Sequence, residues 1–421
     1  MPRLSGKFPI LIGASWYFLE KFIRLIGAFL IGAWVARHLG PEAYGALAYA
    51  LALVAVLGFL GSLGIESLVV RDLVEGQREQ RGILSTYFFI RLAGSVMVPL
   101  LAIGYLMLAH IGDPVLMLLA ILCSGAVVFG AYDAADCWLQ ARNEARKTSV
   151  IRLIGFSVGT ASRCLLILSG ASVEWFAAVV LLESAIVAIL YYRLLHRHGL
   201  TPALGQVSMA EFKYLIVAGK MMVLSGLIVA IYSKIDVLVI GALLSKEAVG
   251  SYAIAASMCA AWNMVGMSIS QAWAPRISES RTHSHLEYVR TMRQLLLTLM
   301  AVSLAGSVFL SLGSELIFSI LLGPDYMSGA VILRVLVWSS VFVFLGVATS
   351  QIIVNERIYW ISMLRTVIGL VFCIATIYFA PFVWTTMDFA YLMVCTSALA
   401  TSSIAFSAKA RSTLRQILSP A

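Results

Sequence analysis

Twelve predominantly apolar runs, each of about twenty residues or more, follow one another along the chain, and no water-soluble core has room for so many. A hydrocarbon layer about 30 Å thick is crossed by about 20 residues rising about 1.5 Å each. Inside it every backbone N–H and C=O needs a partner within the chain, so only helices and closed barrels can cross. The runs are continuous rather than alternating, which predicts helices, at roughly 8–36, 43–70, 82–109, 114–140, 148–169, 173–195, 212–244, 249–275, 293–312, 329–354, 358–379 and 383–407. Composition agrees: 61% of the 421 residues are hydrophobic and 12% charged, against about half and about a quarter in soluble domains. The expected class is an all-α integral membrane protein of twelve transmembrane helices.

Short loops orient such a chain through their Lys and Arg content. Nineteen of these residues fall in one alternate set of connections, while the other set holds only Arg37 and Lys246. Both termini are therefore expected on the cytoplasmic side, and an even number of spans is consistent with that. The longest inner connection, near 196–212, predicts two lobes: residues 1–200 with spans 1 to 6, and 201–421 with spans 7 to 12.

The net charge of +9 lies in short clusters between spans, with no basic stripe and no nucleic-acid motif, so nucleic acid is not an expected partner. All six cysteines sit inside apolar runs, which argues against a disulfide framework and against a CxxC site; no metal is expected. The opening "MPRLSGK" leads into a run too long for a signal peptide, so a retained first span is expected. No G-x-x-x-x-G-K-[ST] loop, H-E-x-x-H or G-x-S-x-G occurs, and the acids of the short outer loops, such as Glu315, Asp325 and Asp388, are scattered. These absences weigh against an ATP-driven pump and against an enzyme, and no catalytic residue or cofactor is expected.

The halves resemble each other. "LGPEAYGALAYA" (Leu39–Ala50) aligns without gaps to "LSKEAVGSYAIA" (Leu244–Ala255) at an offset of 205 residues. With small gaps, "RNEARKTSVIRLIG" (Arg142–Gly155) matches "VNERIYWISMLRTVIG" (Val354–Gly369). Six helices separate the copies, which gives both the same topology, a parallel repeat about an axis along the membrane normal. Two such lobes, rocking about a site at their interface, make an alternating-access transporter.

Charges inside the spans indicate what that site holds. "WYFLEKFIRL" (Trp16–Leu25) places Glu20, Lys21 and Arg24 near the middle of the first span. Glu20 and Arg24 are i,i+4 and can pair, leaving Lys21 in excess. A charge at this depth costs at least ~2.5 kcal/mol, so the face is expected to line a wet cavity, or else to stitch the span to a neighbouring helix. Arg163 in span 5, Lys220 and Lys234 with Asp236 in span 7, and Arg365 in span 11 extend the pattern. A cationic interior suits an anion. Lys234 and Asp236 point in nearly opposite directions, so Lys234 is assigned to the cavity and Asp236 to a counter-charge or an ion ligand. Glu183 in span 6 either neutralises Arg163 or carries a coupling proton, and Asp133, with Asp136, is a further acidic candidate for Na+ or H+. Arg91 and Arg334 lie close enough to span ends to snorkel. Gly27, Gly32, Gly219 and Gly226 suit close helix contact, and Trp16, Tyr17, Tyr232 and Trp262 could stack on sugar rings.

"FLIGAWVARHLGPEAYGALAYALALVAVLGFLGSLGIESLVVRDL" (Phe29–Leu73) resembles the N-terminal hallmark of the Wzx-type polysaccharide and O-antigen flippases, members of the multidrug/oligosaccharidyl-lipid/polysaccharide (MOP) exporter superfamily. "KIDVLVIGALLSKEAVGSYAIAASM" (Lys234–Met258) and "LLGPDYMSGAVILRVLVW" (Leu321–Trp338) are similar to that family's seventh-to-eighth and ninth-to-tenth span junctions. The resemblance implies a MATE-like fold and the transfer of undecaprenyl-pyrophosphate-linked oligosaccharide repeat units, for O-antigen lipopolysaccharide or capsule, across the bacterial inner membrane. It also implies membrane lipids, a polysaccharide polymerase and chain-length machinery as partners, with Lys21, Arg24 and Lys234 facing the pyrophosphate or acidic sugars. One departure is span 7, "KYLIVAGKMMVLSGL" (Lys213–Leu227), which lacks the proline many relatives carry there. The rival readings are an ion-coupled multidrug antiporter of the same superfamily, which would want an acidic cavity, and a membrane-embedded polymerase or ligase.

Overall fold

The computed structural model describes residues 7–76, 79–109, 112–356, 358–380 and 383–418, with side chains given for Arg24 and from Gly27 onward, except 408 and 418. Seventeen α-helices and no strand occur among the described residues. In chain order they are α1 (Lys7–Leu57), α2 (Phe59–Ser62), α3 (Glu66–Glu75), α4 (Gln80–Leu108), α5 (Pro114–Phe129), α6 (Ala134–Ala141), α7 (Ala145–Leu168), α8 (Val173–Arg197) and α9 (Met209–Tyr232). There follow α10 (Ile235–Leu243), α11 (Lys246–His283), α12 (His285–Leu321), α13 (Met327–Leu336), α14 (Ser339–Asn355), α15 (Trp360–Phe379), α16 (Thr386–Ser402) and α17 (Ala408–Leu418).

Among the described residues ten helices are long and apolar enough to cross a membrane, and an eleventh span is the pair Pro324–Leu336 and Ser339–Asn355, bent by 45°. The first of the ten is continuous across Gly40, whose φ of 76° and ψ of 168° break the helix there. Counting its two legs separately gives the twelve expected from hydropathy. Large apolar side chains such as Leu100, Phe309 and Leu312 face outward, as they must where lipid is the solvent. The protein is a multi-pass membrane protein.

Several spans are broken, which apolar length alone does not reveal. Span 2 ends its first segment at Leu57 and turns through left-handed Leu63 and Gly64 before α3. Span 4 passes from α5 through a 3-10 turn, Gly130–Asp133, into α6. Span 7 stops at Tyr232 and restarts as α10 after Lys234. Each break frees backbone groups that need other partners. At the α13/α14 break, buried serines on α12 meet the need: Ser311 Oγ donates to the Arg334 carbonyl at 3.1 Å and Ser307 Oγ to that of Val337 at 3.2 Å.

The chain divides into two compact units, unit 1 (Met1–Leu39 with Ala46–Ala230) and unit 2 (Gly40–Gly45 with Ile231–Ala421). This packing boundary differs from the one read from connection length, at 200, because nearly all of α9 packs in unit 1. Leu215 joins a buried cluster with Ile65, Leu84, Tyr87, Trp138 and Tyr191, and Gly219 and Gly226 lie against Ile65 and Phe59. The matching cluster of unit 2 gathers Ile277, Tyr288, Met292, Leu295, Phe344 and Ile352, and it takes in Ile417 of α17. That last helix, which the span count did not foresee, is anchored by Lys409 Nζ on Glu356 Oε2 at 2.8 Å.

Gly40–Gly45 belongs to unit 2 because of the repeat itself. A Cβ on Gly45 would stand 1.8 Å from the carbonyl oxygen of Lys246, and one on Gly250 would stand 2.0 Å from that of Pro41. Gly45 and Gly250 are counterparts at the offset of 205, as are Pro41 and Lys246. The contact is reciprocal, each glycine lying against a backbone carbonyl of the other segment. Only glycine allows backbones so close.

Candidate functional site

Unit 1 holds a half-open cavity of about 440 Å³ among membrane-length helices. Its polar lining is Arg24, Arg91, Asp133, Arg152, Glu183 and Ser184, and Ala126, Val127, Phe129, Val180 and Val187 supply apolar wall. Arg24 comes from the first leg of α1, 17 residues or about 26 Å past Lys7, which is mid-helix, as the sequence implied.

The 3-10 turn of span 4 sets the acids. It ends at Asp133 and delivers Asp136 onto the first turn of α6. Asp133 Oδ2 accepts from Arg91 Nη2 at 3.2 Å. Arg91 Nη1 is shared by Glu66 Oε1 at 3.1 Å and Tyr87 Oη at 3.0 Å. Asp136 is buried and accepts from Arg152 Nη2 and Thr148 Oγ1, both at 2.7 Å, and from Gln140 Nε2 at 3.1 Å. On the opposite wall Arg163 Nη2 of α7 meets Glu183 Oε2 of α8 at 2.9 Å. Gly159 leaves room for this pair, since a Cβ there would lie 2.6 Å from Glu183 Oε2.

The lining alone carries one positive charge in excess, and with the partners behind it the two signs balance. Three guanidinium groups and two carboxylates line the cavity, and behind them Arg163, Glu66 and Asp136 pair with lining groups. Fixed charges of both signs, paired across helices and facing a common space, can hold a charged group without leaving a bare ion when the space is empty.

Arg24, Asp133, Glu183 and, through Glu183, Arg163 thus meet around one cavity. Lys234 and Asp236 belong to unit 2. Lys234 occupies the N-cap position of α10 with φ of −136° and ψ of 0°, and Asp236 is held by Tyr252 Oη at 3.0 Å and by the Val237 N–H at 2.8 Å. Glu20 and Lys21, like Trp16 and Tyr17, lie outside the described side chains. Arg91 corrects the snorkelling expectation: it is buried, with a side chain 8% exposed, and its guanidinium is spent inside the bundle. Arg334 does reach the surface, where it pairs with Glu315 at 2.6 Å. Trp262 packs on Phe344, ring centroids 5.7 Å apart, and so serves the unit 2 core rather than a sugar platform. Arg152 and Glu66 were not singled out from the sequence. Arg152 stands in the early part of α7, close to the basic residues of the preceding connection, and only its place in the repeat marks it.

The polysaccharide biosynthesis protein family model matches residues 10–281, nearly two thirds of the chain, and the chain belongs to that family. A second family model, MatE, matches residues 222–379. No curated protein matches the sequence closely enough to add to these. Among solved structures the chain is similar to lipid II flippase MurJ in an inward closed conformation, with a TM-score of 0.72 at 13% identity, covering 96% of this chain and 90% of that one. It is also similar to an inward-facing multidrug resistance MATE family transporter of the MOP superfamily, with a TM-score of 0.70 at 15% identity, covering 97% of this chain and all of that one. A MOP superfamily transporter from Pyrococcus furiosus matches at 0.52 and 13% identity over 98% and 95% of the two chains. The fold is that of the MOP transporters and flippases.

Proposed function

We propose that the protein is a flippase that carries undecaprenyl-pyrophosphate-linked oligosaccharide repeat units across the bacterial inner membrane by alternating access, with both termini cytoplasmic. The observation that carries the reading is the unit 1 cavity, set among membrane-length helices, where Arg24 lines the space beside the ion-paired Arg91 and Arg152. Guanidinium recognises phosphate and carboxylate through paired N–H donors, and it stays charged at any pH a cell reaches. Arg24 is the group assigned to the pyrophosphate or to acidic sugars, with Lys21 beside it in sequence; Lys234, in unit 2, is a further cation assigned to the cargo. Arg163 orients Glu183 on the cavity wall. Membership of the polysaccharide biosynthesis protein family supports this cargo in preference to a cationic drug.

Ion coupling, by H+ or Na+, falls to Asp236 in this reading. Glu183 and Asp133 each face an arginine, whereas Asp236 is met by a hydroxyl and a backbone N–H. Delivery of the flipped unit to a polymerase and its chain-length machinery follows from the same reading.

The test is complementation of a strain that depends on the gene for its surface polysaccharide. Arg24→Ala and Lys234→Ala together are expected to abolish the polysaccharide while the protein stays in the membrane at normal level. Full polysaccharide from the double variant would reject the site.

A further inference from the structure

Unit 2 holds a smaller cavity, about 190 Å³, several times the roughly 30 Å³ that one water occupies in the liquid. Its lining includes Tyr232, Gly346, Arg365, Thr366, Ser397 and Thr401. Arg365 projects from the second turn of α15. Its Nη1 donates to the Gly346 carbonyl at 2.9 Å, and its Nη2 lies 3.4 Å from Ser350 Oγ. A guanidinium has five N–H donors, so these two contacts leave more than half of them to be satisfied. Among the described residues no carboxylate pairs with Arg365 and none lines the cavity.

Three arginines of unit 1, Arg91, Arg152 and Arg163, contrast with it, each meeting a carboxylate within 3.2 Å. A half-buried cation met only by dipoles is poorly compensated. Of the remaining lining hydroxyls, one of the Tyr232 and Ser397 pair keeps a proton for a negative visitor. Thr366 and Thr401 donate their protons to the Ser362 and Phe342 carbonyls. Tyr232 and Ser397 hydrogen-bond to each other, which uses one of their two protons and leaves the other to donate. Gly346 lets the guanidinium lie against bare helix, since a Cβ there would stand 3.1 Å from Arg365 Nη1.

We propose that this cavity binds a small oxyanion, a carboxylate or a phosphate, which supplies Arg365 with a charge partner that the described residues do not. The site is independent of the unit 1 cavity and of the cargo assigned there. Two sources share this chemistry: a carboxylate on an acidic sugar and a free inorganic ion.

The full chain in nanodiscs of zwitterionic lipid would be melted against rising concentrations of sodium glucuronate, inorganic phosphate and, as the uncharged control, glucose. A saturable rise in melting temperature is expected with at least one anion and not with glucose. Response to glucuronate alone assigns a sugar carboxylate, and response to phosphate assigns the inorganic ion. In Arg365→Gln the apparent affinity is expected to fall about tenfold or more, as for a lost charged hydrogen bond. Arg334→Gln, which breaks only a surface pair, should titrate like the wild type. Should Arg365→Gln not fold, Gly346→Ala keeps the charge but crowds Nη1, and weaker binding is expected there too. A wild type that no anion stabilises would overturn the proposal, as would an Arg365→Gln protein that titrates unchanged.

Discussion

The two units begin from the same segment and handle its arginine differently. In unit 1, Asn143-Glu144 leads into α7 and Arg152; in unit 2, Asn355-Glu356 leads into α15 and Arg365. The glutamates behave alike. Glu144 is held by Lys147 at 2.6 Å and Arg142 at 3.5 Å, and Glu356 by Lys409 at 2.8 Å and Arg281 at 3.6 Å. The arginines diverge because the preceding span diverges. Unit 1 interrupts it with a 3-10 turn that carries Asp133 and brings Asp136 within 2.7 Å of Arg152, while unit 2 offers Arg365 the Gly346 carbonyl and Ser350. A repeat can therefore keep its architecture while one copy closes its charges internally and the other leaves one open.

The largest effect is expected from Asp136→Ala. It strands Arg152 and two further donors in a buried site, a loss of about 3–5 kcal/mol, measured by denaturant unfolding in mild detergent. Replacing Arg152 by Gln in the same protein should recover part of the loss, because the charges leave together. Arg365→Gln should cost less, about 1–2 kcal/mol, since it removes only bonds to neutral partners. Equal costs for Asp136→Ala and Arg365→Gln would break the comparison.

Gly159→Ala sharpens it from the other wall of unit 1. Its Cβ would press on the Arg163–Glu183 pair, for a loss of about 1–3 kcal/mol. The corresponding insertion at Gly32, whose Cβ would meet nothing within 4 Å, should be silent in the same assay.

The smallest effect concerns pH. The hydrogen bond and charge of Lys147 hold the Glu144 carboxyl below the usual carboxylate range. A carboxylate whose folded pKa is lowered adds stability that is complete above its unfolded pKa and is lost as pH falls through the folded one. Melting temperature should therefore fall slightly further between neutral and acid pH in the wild type than in Glu144→Gln. An identical acid limb in both proteins would remove Glu144 from the account.

Much of this was legible in the sequence, for a physical reason. Span positions come from apolar length, a property summed over some twenty residues, and α4 and α8 fall within two residues of the expected 82–109 and 173–195. The offset of 205 was legible because a glycine contact between backbones tolerates no side chain, and it proved to be a reciprocal packing of Gly45 and Gly250. Breaks at Gly130, Lys234 and Val337 were not legible, since one turn of altered backbone barely changes a window's hydropathy. Nor was α17, whose length and polarity fall short of a span and whose apolar face is taken up by unit 2. At the site, the pairing of Arg163 with Glu183 was among the readings left open, and adjacency of spans 5 and 6 made it reachable. Asp136 with Arg152 was not reached, because Arg152 looked like one more basic residue at a cytoplasmic span end.

The most direct measurement is transbilayer movement in proteoliposomes of a fluorescent polyprenyl-pyrophosphate saccharide, beside an analogue with the same sugar and an uncharged linkage. The account predicts fast movement of the pyrophosphate lipid alone, and its loss in Arg24→Ala. Equal movement of the two lipids, or an Arg24→Ala protein as fast as the wild type, would contradict it.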